Sequence, residues 1–452
     1  MPRAVRPPRT SRHRVTLRGV AALVVAAVLI VAGYVAQIEE LIIAGCLGVA
    51  LAVVGYLFVR LRRPRLSVVR GFSPPTVAAG RRTRVSLLVT NRSSATSTPA
   101  LWNDAVPWRH EEAPQALAPL APLGANARAG STAAGRRGTR MLGYDLVPPV
   151  RGVFPIGPLA LEYADPFETA RSIITLGAAD ELVVVPDLVE LPTGSLSVAE
   201  GEGSSLLVHR RVTGSDDDLT TREYRSGDAM RRVHWRASAR HGELMVRQEE
   251  QRSHPEARIL VDTRIDGYVD VARDAGQTGA GAYVEQSETF EWIVRMLASL
   301  GTHLAEAGFV LSIDESAEAQ VAPIGDRSEG VRRDEGFLRS LARIRLVESS
   351  GVGPGLVDQR SSGPVFALLA EPDDQTLSWV TRHRRPGDAA VAFLVEPDYG
   401  WAGDAAISAR SHAIEQTLDD TGWITLRIRA DEDPAEAWRA AHAGWGALRG
   451  TR

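Results

Sequence analysis

The chain has 452 residues, of which 44% are hydrophobic, 24% charged and 6% aromatic, with a formal net charge of −3. That is ordinary globular composition, and it excludes wholesale disorder, a collagen-like repeat and a low-complexity scaffold. The near-neutral balance argues against a nucleic-acid binder, and the single cysteine, Cys46, excludes an internal disulfide framework or a multi-cysteine metal site. All 52 basic side chains are arginine, so Schiff-base, P-loop-lysine and Ser-Lys chemistries are excluded as well.

The strongest signal lies at the start. Gly19 to Ala36 and Leu41 to Val59 are two uncharged, mostly apolar runs. Each is long enough, at about 1.5 Å per helical residue, to cross a hydrocarbon core of about 30 Å. Only Gln37, Ile38, Glu39 and Glu40 separate them, so the spans form an antiparallel hairpin. Arginines at 3, 6, 9, 12, 14 and 18 precede the first span, and those at 60, 62, 63 and 65 follow the second. The positive-inside rule then puts both basic ends in the cytoplasm and the Glu pair outside. A cleaved signal peptide is the competing reading of the first run, and the second span following at once argues against it. Residues 1–18 are therefore expected to be a basic cytoplasmic N-terminus and residues 19–59 a transmembrane helical hairpin in the cell (inner) membrane. The soluble remainder would face the cytosol.

Residues 64–186 read as a β-rich, sandwich-like domain. Arg84 to Thr90, Met141 to Val147 and Leu159 to Tyr163 are strand candidates punctuated by Gly and Pro, and Ala113 to Gly135 reads as a long loop. From 257 to 452 the pattern changes to apolar strands alternating with amphipathic helices. Strands are expected at Arg258–Val261, Phe309–Ile313, Val365–Leu369, Ala389–Val395 and Trp423–Ile428. Helices are expected at Ser287–Ala307, Gln375–Arg382, Asp404–Leu418 and Pro434–Leu448. This alternation predicts an α/β doubly wound parallel sheet covered on both faces. Glu315 to Arg333 is polar and reads as a loop or hairpin.

Between the two parts, residues 187–256 hold the most informative string. Gly227 suits a turn and Asp228 an N-cap, so a helix is expected from Asp228 to about Arg240, stopped at Gly242. Met230, Val233 and Ala237 would share one face, with Arg232, Arg236 and Arg240 as a stripe beside it. Arg231 and Trp235 are one turn apart, as are His234 and Ser238. The arginines fit pairing with nearby acids such as Asp216, Asp217, Asp218, Glu223 and Glu243 better than a phosphate or partner site. Leu244 to Gln248 reads as a strand.

Arg222, Tyr224, Gly227-Asp228, Arg231, His234-Trp235 and Ser238-Ala239-Arg240 together resemble the signature of the domain-of-unknown-function 58 (DUF58) family, with Val233 in its isoleucine slot. Arg151-Gly152, Gly157-Pro158 and Asp165-Pro166-Phe167 resemble the family's upstream stretch, and Glu168 departs from its usual glycine. The resemblance implies a von Willebrand factor A-like fold for the last part. It also implies association with a MoxR-type AAA+ ATPase and, in some settings, a transglutaminase-like membrane protein. It implies no reaction and no cofactor. A true A-domain holds Mg²⁺ through Asp-x-Ser-x-Ser after its first strand. Here Asp262 fits, but Arg264 and Asp266 stand where the serines should be, and the guanidinium would compete with a cation. The motif reads as degenerate.

No G-x-S-x-G, H-E-x-x-H or Walker lysine is present. The expected function is thus a non-catalytic membrane-anchored interaction or scaffold protein, with partners in the bilayer and no nucleic acid. The alternatives are a hydrolase using His234 and a metal-dependent adhesion module. A reporter fused after Arg452 tests the topology: a cytoplasmic reporter should be active, and alkaline phosphatase active at that position would refute the orientation.

Overall fold

The computed structural model describes residues 11–61, 64–109, 113–123, 138–192, 221–224, 230, 233, 235–247, 255–271, 287–324, 333–348, 363–386, 388–397 and 404–449. They fall into two compact units divided in sequence between Val185 and Pro186.

The first unit opens with strand β1 (Ser11–Val15), then helices α1 (Leu17–Ala36) and α2 (Glu39–Leu61). Both helices are long and apolar enough to cross a membrane. Thr16 caps α1, its hydroxyl accepting from Gly19 N at 3.1 Å. The helices pack through small residues: a Cβ on Gly45 would fall 2.7 Å from Ala26 O. Ten strands follow: β2 (Leu66–Ser73), β3 (Thr76–Ala78), β4 (Thr83–Asn91), β5 (Ala100–Asp104), β6 (Gln115–Leu117), β7 (Thr139–Leu146), β8 (Gly152–Ile156), β9 (Leu159–Ala164), β10 (Ala170–Leu176) and β11 (Asp180–Val185). They form sheets ordered β1-β10-β9-β5-β6, β2-β4-β7 and β3-β11-β8. Apolar residues alternate inward, as in β4, where Val85, Leu87 and Val89 are fully buried. All three sheets supply one core: Leu161 and Trp102 from the first, Leu87 and Leu142 from the second, Val77 and Val184 from the third.

Two findings depart from the sequence reading here. The terminal segment expected only to be basic contains β1, held by antiparallel pairing with β10. The stretch expected to be one long loop, Ala113 to Gly135, contains β6, which pairs with β5 through Leu117 and Ala100. Both strands are short edges whose order comes from a neighbour and not from their own pattern.

A buried ion pair ties the sheets together. Arg70 on β2 donates to both oxygens of Asp104 on β5, at 3.0 and 2.6 Å. It also donates to Asp180 at the start of β11, at 2.6 Å. Tyr144 on β7 donates to Asp104 at 2.6 Å. The Arg70 and Asp104 side chains are only 1% and 2% exposed. Burial pulls the Arg70 guanidinium down, but its bonds to Asp104 and Asp180 outweigh this and hold it above its ordinary value. Gly157, at φ 102°, lies against the same guanidinium, and a Cβ there would sit 2.4 Å from Nη2.

A second tie joins the helices to the sheet. The buried Asp165 carboxylate accepts from Ala170 N at 2.6 Å, Phe167 N at 3.0 Å and Thr169 Oγ1 at 3.2 Å. This closes the turn between β9 and β10. Gly55 of α2 sits on that turn, where a Cβ would lie 2.4 Å from Thr169 Oγ1. Val59 packs fully buried with Tyr163 and Ala170.

The second unit holds β12 (Thr221–Glu223), α3 (Trp235–His241) and β13 (Met245–Arg247), followed by an alternating α/β run. The run comprises β14 (Glu256–Val261), α4 (Glu288–Ala307), β15 (Val310–Glu315), α5 (Arg333–Arg343), β16 (Val365–Leu369), α6 (Asp374–His383), β17 (Ala390–Glu396), α7 (Asp404–Asp420), β18 (Ile424–Arg429) and α8 (Pro434–Arg449). Its five strands are all parallel, in the order β15-β14-β16-β17-β18. Alternate strand residues serve opposite faces. Ile259, Phe366 and Phe393 meet Trp292 of α4, Phe337 of α5 and Trp438 of α8. Leu260, Ala367 and Leu394 meet Trp379 of α6 and Leu418 of α7. Helices cover both faces, so the central strands read as unbroken apolar runs. Helix α5 was not anticipated; only Phe337, Leu338 and Leu341 mark it within a charged sequence.

Asp104→Ala should leave the Arg70 charge buried without its main partner. The expected loss is about 3–5 kcal/mol of stability, read as a lowered denaturation midpoint of the full chain in detergent, with Arg82→Ala as the exposed control.

Candidate functional site

The signature segment is a small hairpin with a short helix, not one continuous helix. β12 pairs antiparallel with β13, Arg222 opposite Val246. On its other edge β13 takes an isolated bridge from Val233. A residue bridged to a strand is extended and cannot also continue a helix, so α3 begins only at Trp235. The helix expected from Asp228 is corrected accordingly. Gly242 ends α3 at φ 78°, its N–H donating to Ser238 O at 2.9 Å. Ser238 Oγ accepts from Met245 N at 2.8 Å, and Tyr224 N donates to Leu244 O at 2.7 Å. Ser238 thus fastens the helix to the strand that follows it. Val233, Met245 and Val246 are buried beneath. Ala239 and Arg240 are exposed. Trp235 is 65% exposed, Met230 56% and Leu244 40%. Gly227, Asp228, Arg231 and His234 lie outside the described residues, as does the Arg232 member of the proposed stripe.

The second cluster lies at the carboxyl end of the parallel sheet. The strand order reverses direction between β14 and β16, and in open α/β sheets that crevice is where ligands bind. Asp262 follows β14 and is 1% exposed. Its Oδ1 accepts from Ser316 Oγ at 2.5 Å and from Arg264 N at 3.1 Å. Oδ2 has no hydrogen-bond partner among the described residues. Burial pushes this carboxyl up to about 6, against the lowering effect of those bonds and of the Arg264 charge. Tyr268 donates its hydroxyl to Asp262 O at 2.5 Å, and burial raises that phenol well above its ordinary value.

Arg264 turns its guanidinium away from Asp262 to the start of α6. Nη1 donates to Asp373 Oδ1 and Oδ2 at 3.0 and 2.9 Å, and to Thr376 Oγ1 at 3.0 Å. Asp266 lies 3.6 Å from Nη2 with its side chain 61% exposed. Burial raises Asp373, but hydrogen bonds from Thr376 and Arg264 outweigh this and lower it. Glu371, just before, is 7% exposed and raised by burial, with Arg410 3.8 Å away. Of the three motif residues, the structure brings Arg264 and Asp266 together and keeps the Arg264 side chain on Asp373. Among the described residues, no group of three His, Cys, Asp or Glu side chains has metal-ligand geometry. Sequence reading missed Glu371, Asp373, Thr376 and Ser316. The Asp373-x-x-Thr376 N-cap pattern ahead of α6 was the one local signal available.

Residues 220–267 match the sequence model of a family described as protein of unknown function DUF58. The match spans the hairpin, β14 and the turn that holds Asp262 and Arg264. It supports the family resemblance. No curated protein matches the chain. Among solved structures, the chain is similar to the CARDB domain of a Pyrococcus furiosus protein in complex with di-metal ions. That likeness has 14% identity over 27% of this chain and 89% of that one, with a TM-score of 0.19. It is also similar to a Paenibacillus cycloisomaltooligosaccharide glucanotransferase complexed with cycloisomaltoheptaose. There the identity is 9% over 80% of this chain and 53% of that one, with a TM-score of 0.18. Neither score carries an argument about fold or function.

Asp262 gives a pH signature with a definite sign. Its folded value, about 6, lies above its ordinary 3.8, so the folded state holds the proton more tightly. That contribution to stability is full below about pH 4 and is lost as pH rises through about 6. Asp262→Asn should flatten the fall in denaturation midpoint between pH 4 and 6 relative to the parent; an unchanged slope would show that Asp262 does not titrate there.

Proposed function

We propose that the chain is a non-catalytic, membrane-anchored interaction protein whose signature hairpin docks a protein partner. The observation that carries this is Trp235. The hairpin is fastened internally by Ser238 and by the buried Val233, Met245 and Val246, yet its indole is left 65% exposed. An exposed aromatic side chain on an internally bonded hairpin is the residue type that dominates protein–protein recognition. Met230 and Leu244 add apolar surface on the same hairpin.

In this reading α1 and α2 are a two-pass anchor and both units face the cytoplasm. The α/β unit serves as a von Willebrand factor A-like platform. Its strand-end crevice works without a divalent cation, because Arg264 brings a fixed positive charge to Asp373. A MoxR-type AAA+ ATPase is the partner that the family resemblance suggests, and a transglutaminase-like membrane protein is a second. Ser238 Oγ accepts from Met245 N, which gives the side chain a structural role in the hairpin.

Detergent-solubilised protein should recover the ATPase in stoichiometric amount from cells, and Trp235→Ala should reduce recovery at least tenfold while leaving the thermal midpoint unchanged. Turnover of an ester or phosphate panel that vanishes in His234→Ala would replace this reading with a hydrolase.

A further inference from the structure

We propose that a groove at the base of α1 binds the phosphate headgroup of an anionic phospholipid. The proposal rests on α1 and α2 lying in a bilayer, but on neither their orientation nor the protein partner.

The groove has a volume of about 600 Å³, and its charged lining is Arg12, Arg14, Arg18, Arg171, Glu162 and Glu168. The sheet register explains how these side chains come together. In the β1–β10 ladder, Arg14 stands opposite Arg171 and Arg12 opposite Ile173. In the β10–β9 ladder, Ile173 stands opposite Glu162. Alternate residues share a face of a strand, so Arg12, Arg14, Arg171 and Glu162 all project from the same side of the sheet. The opposite side carries Ser172 and Tyr163, which are buried. Thr16 is the one residue between β1 and α1, so this face meets the first turn of the apolar helix. Leu17, which begins that helix, is 86% exposed and lines the same groove.

The charges do not cancel. Glu162 accepts from Arg171 at 2.9 Å, and Glu168 pairs with Arg18. The Arg12 and Arg14 side chains have no ion pair or hydrogen-bond partner among the described residues. Four arginines against two glutamates leave the groove two positive charges in excess. Like charges set directly across a ladder repel, and Arg14 faces Arg171 with no acid assigned to it. A phosphate oxyanion between them removes that repulsion, and guanidinium groups suit it through paired hydrogen bonds. An anion held beside the first turn of a lipid-exposed helix, with Leu17 open beneath it, has the layout of a headgroup whose acyl chains follow the helix into the bilayer. A free phosphate ion would make no use of Leu17.

The full chain in a neutral maltoside detergent can be titrated with dioctanoyl phosphatidylglycerol, dioctanoyl phosphatidylcholine and inorganic phosphate, reading Kd by thermophoresis. Phosphatidylglycerol should bind at least tenfold more tightly than either of the others. The double variant Arg12→Gln with Arg14→Gln should lose that preference while keeping the parent's thermal midpoint. Arg82→Gln, an exposed arginine on another part of the unit, should behave as the parent. Equal affinity for the two lipids, or a double variant that keeps its preference, overturns the proposal. Inorganic phosphate binding as tightly as phosphatidylglycerol also overturns it, leaving a site for the free ion. Carbonate extraction of membranes separates the premises: release of the chain removes the membrane anchor itself, whereas retention without lipid preference removes only the headgroup site.

Discussion

A single residue between a strand and a helix constrains most of the first unit. β1 is hydrogen-bonded along β10, and Thr16 alone joins it to α1. Thr16 N donates to Thr169 O, and its hydroxyl caps the helix. The start of α1 is therefore fixed to the sheet edge through backbone bonds that no side-chain substitution removes. The Asp165 turn fixes α2 to the same corner through Gly55 and Val59. Two helices held at one corner cannot swing on a linker. Arg70, paired with Asp104 and Asp180, then links the three sheets behind that corner.

The parts of the fold that were readable from the residues are those where the physics is local. The apolar runs at Gly19–Ala36 and Leu41–Val59 needed only length and the absence of charge. Val365–Leu369 and Ala389–Val395 read as buried parallel strands because no polar residue interrupts them, and the structure places strands at Val365–Leu369 and Ala390–Glu396. Ser287 and Gly308 mark the ends of α4 by capping chemistry. What was not readable depends on distant partners. β1, Ser-Arg-His-Arg-Val, has no strand pattern of its own and is ordered by a segment more than 150 residues away. Val233 sits in a helix-like sequence but is claimed by Val246. At the crevice, Asp262, Arg264 and Asp266 were legible as an altered motif. The acid that Arg264 binds, Asp373, lies 109 residues on, and no spacing rule reaches that far.

The two clusters of the second unit differ in kind. The crevice is closed electrostatically, since its guanidinium already has a carboxylate and a hydroxyl, and the buried Asp262 stays on its own bonds to Ser316 and Arg264 N. The hairpin is closed mechanically but open chemically, with Ser238 satisfied internally and its indole in water. The family match covers the hairpin and the Asp262–Arg264 turn. A surface whose own hydrogen bonds fix its shape can change its contacts without changing that shape.

The joint between α1 and α2 is almost nothing. Gln37 takes a left-handed conformation, Ile38 N returns to Gly33 O, and Glu39 already belongs to the next helix. With the hairpin in a bilayer, its tip offers no loop for a ligand to grip and no domain to be pulled.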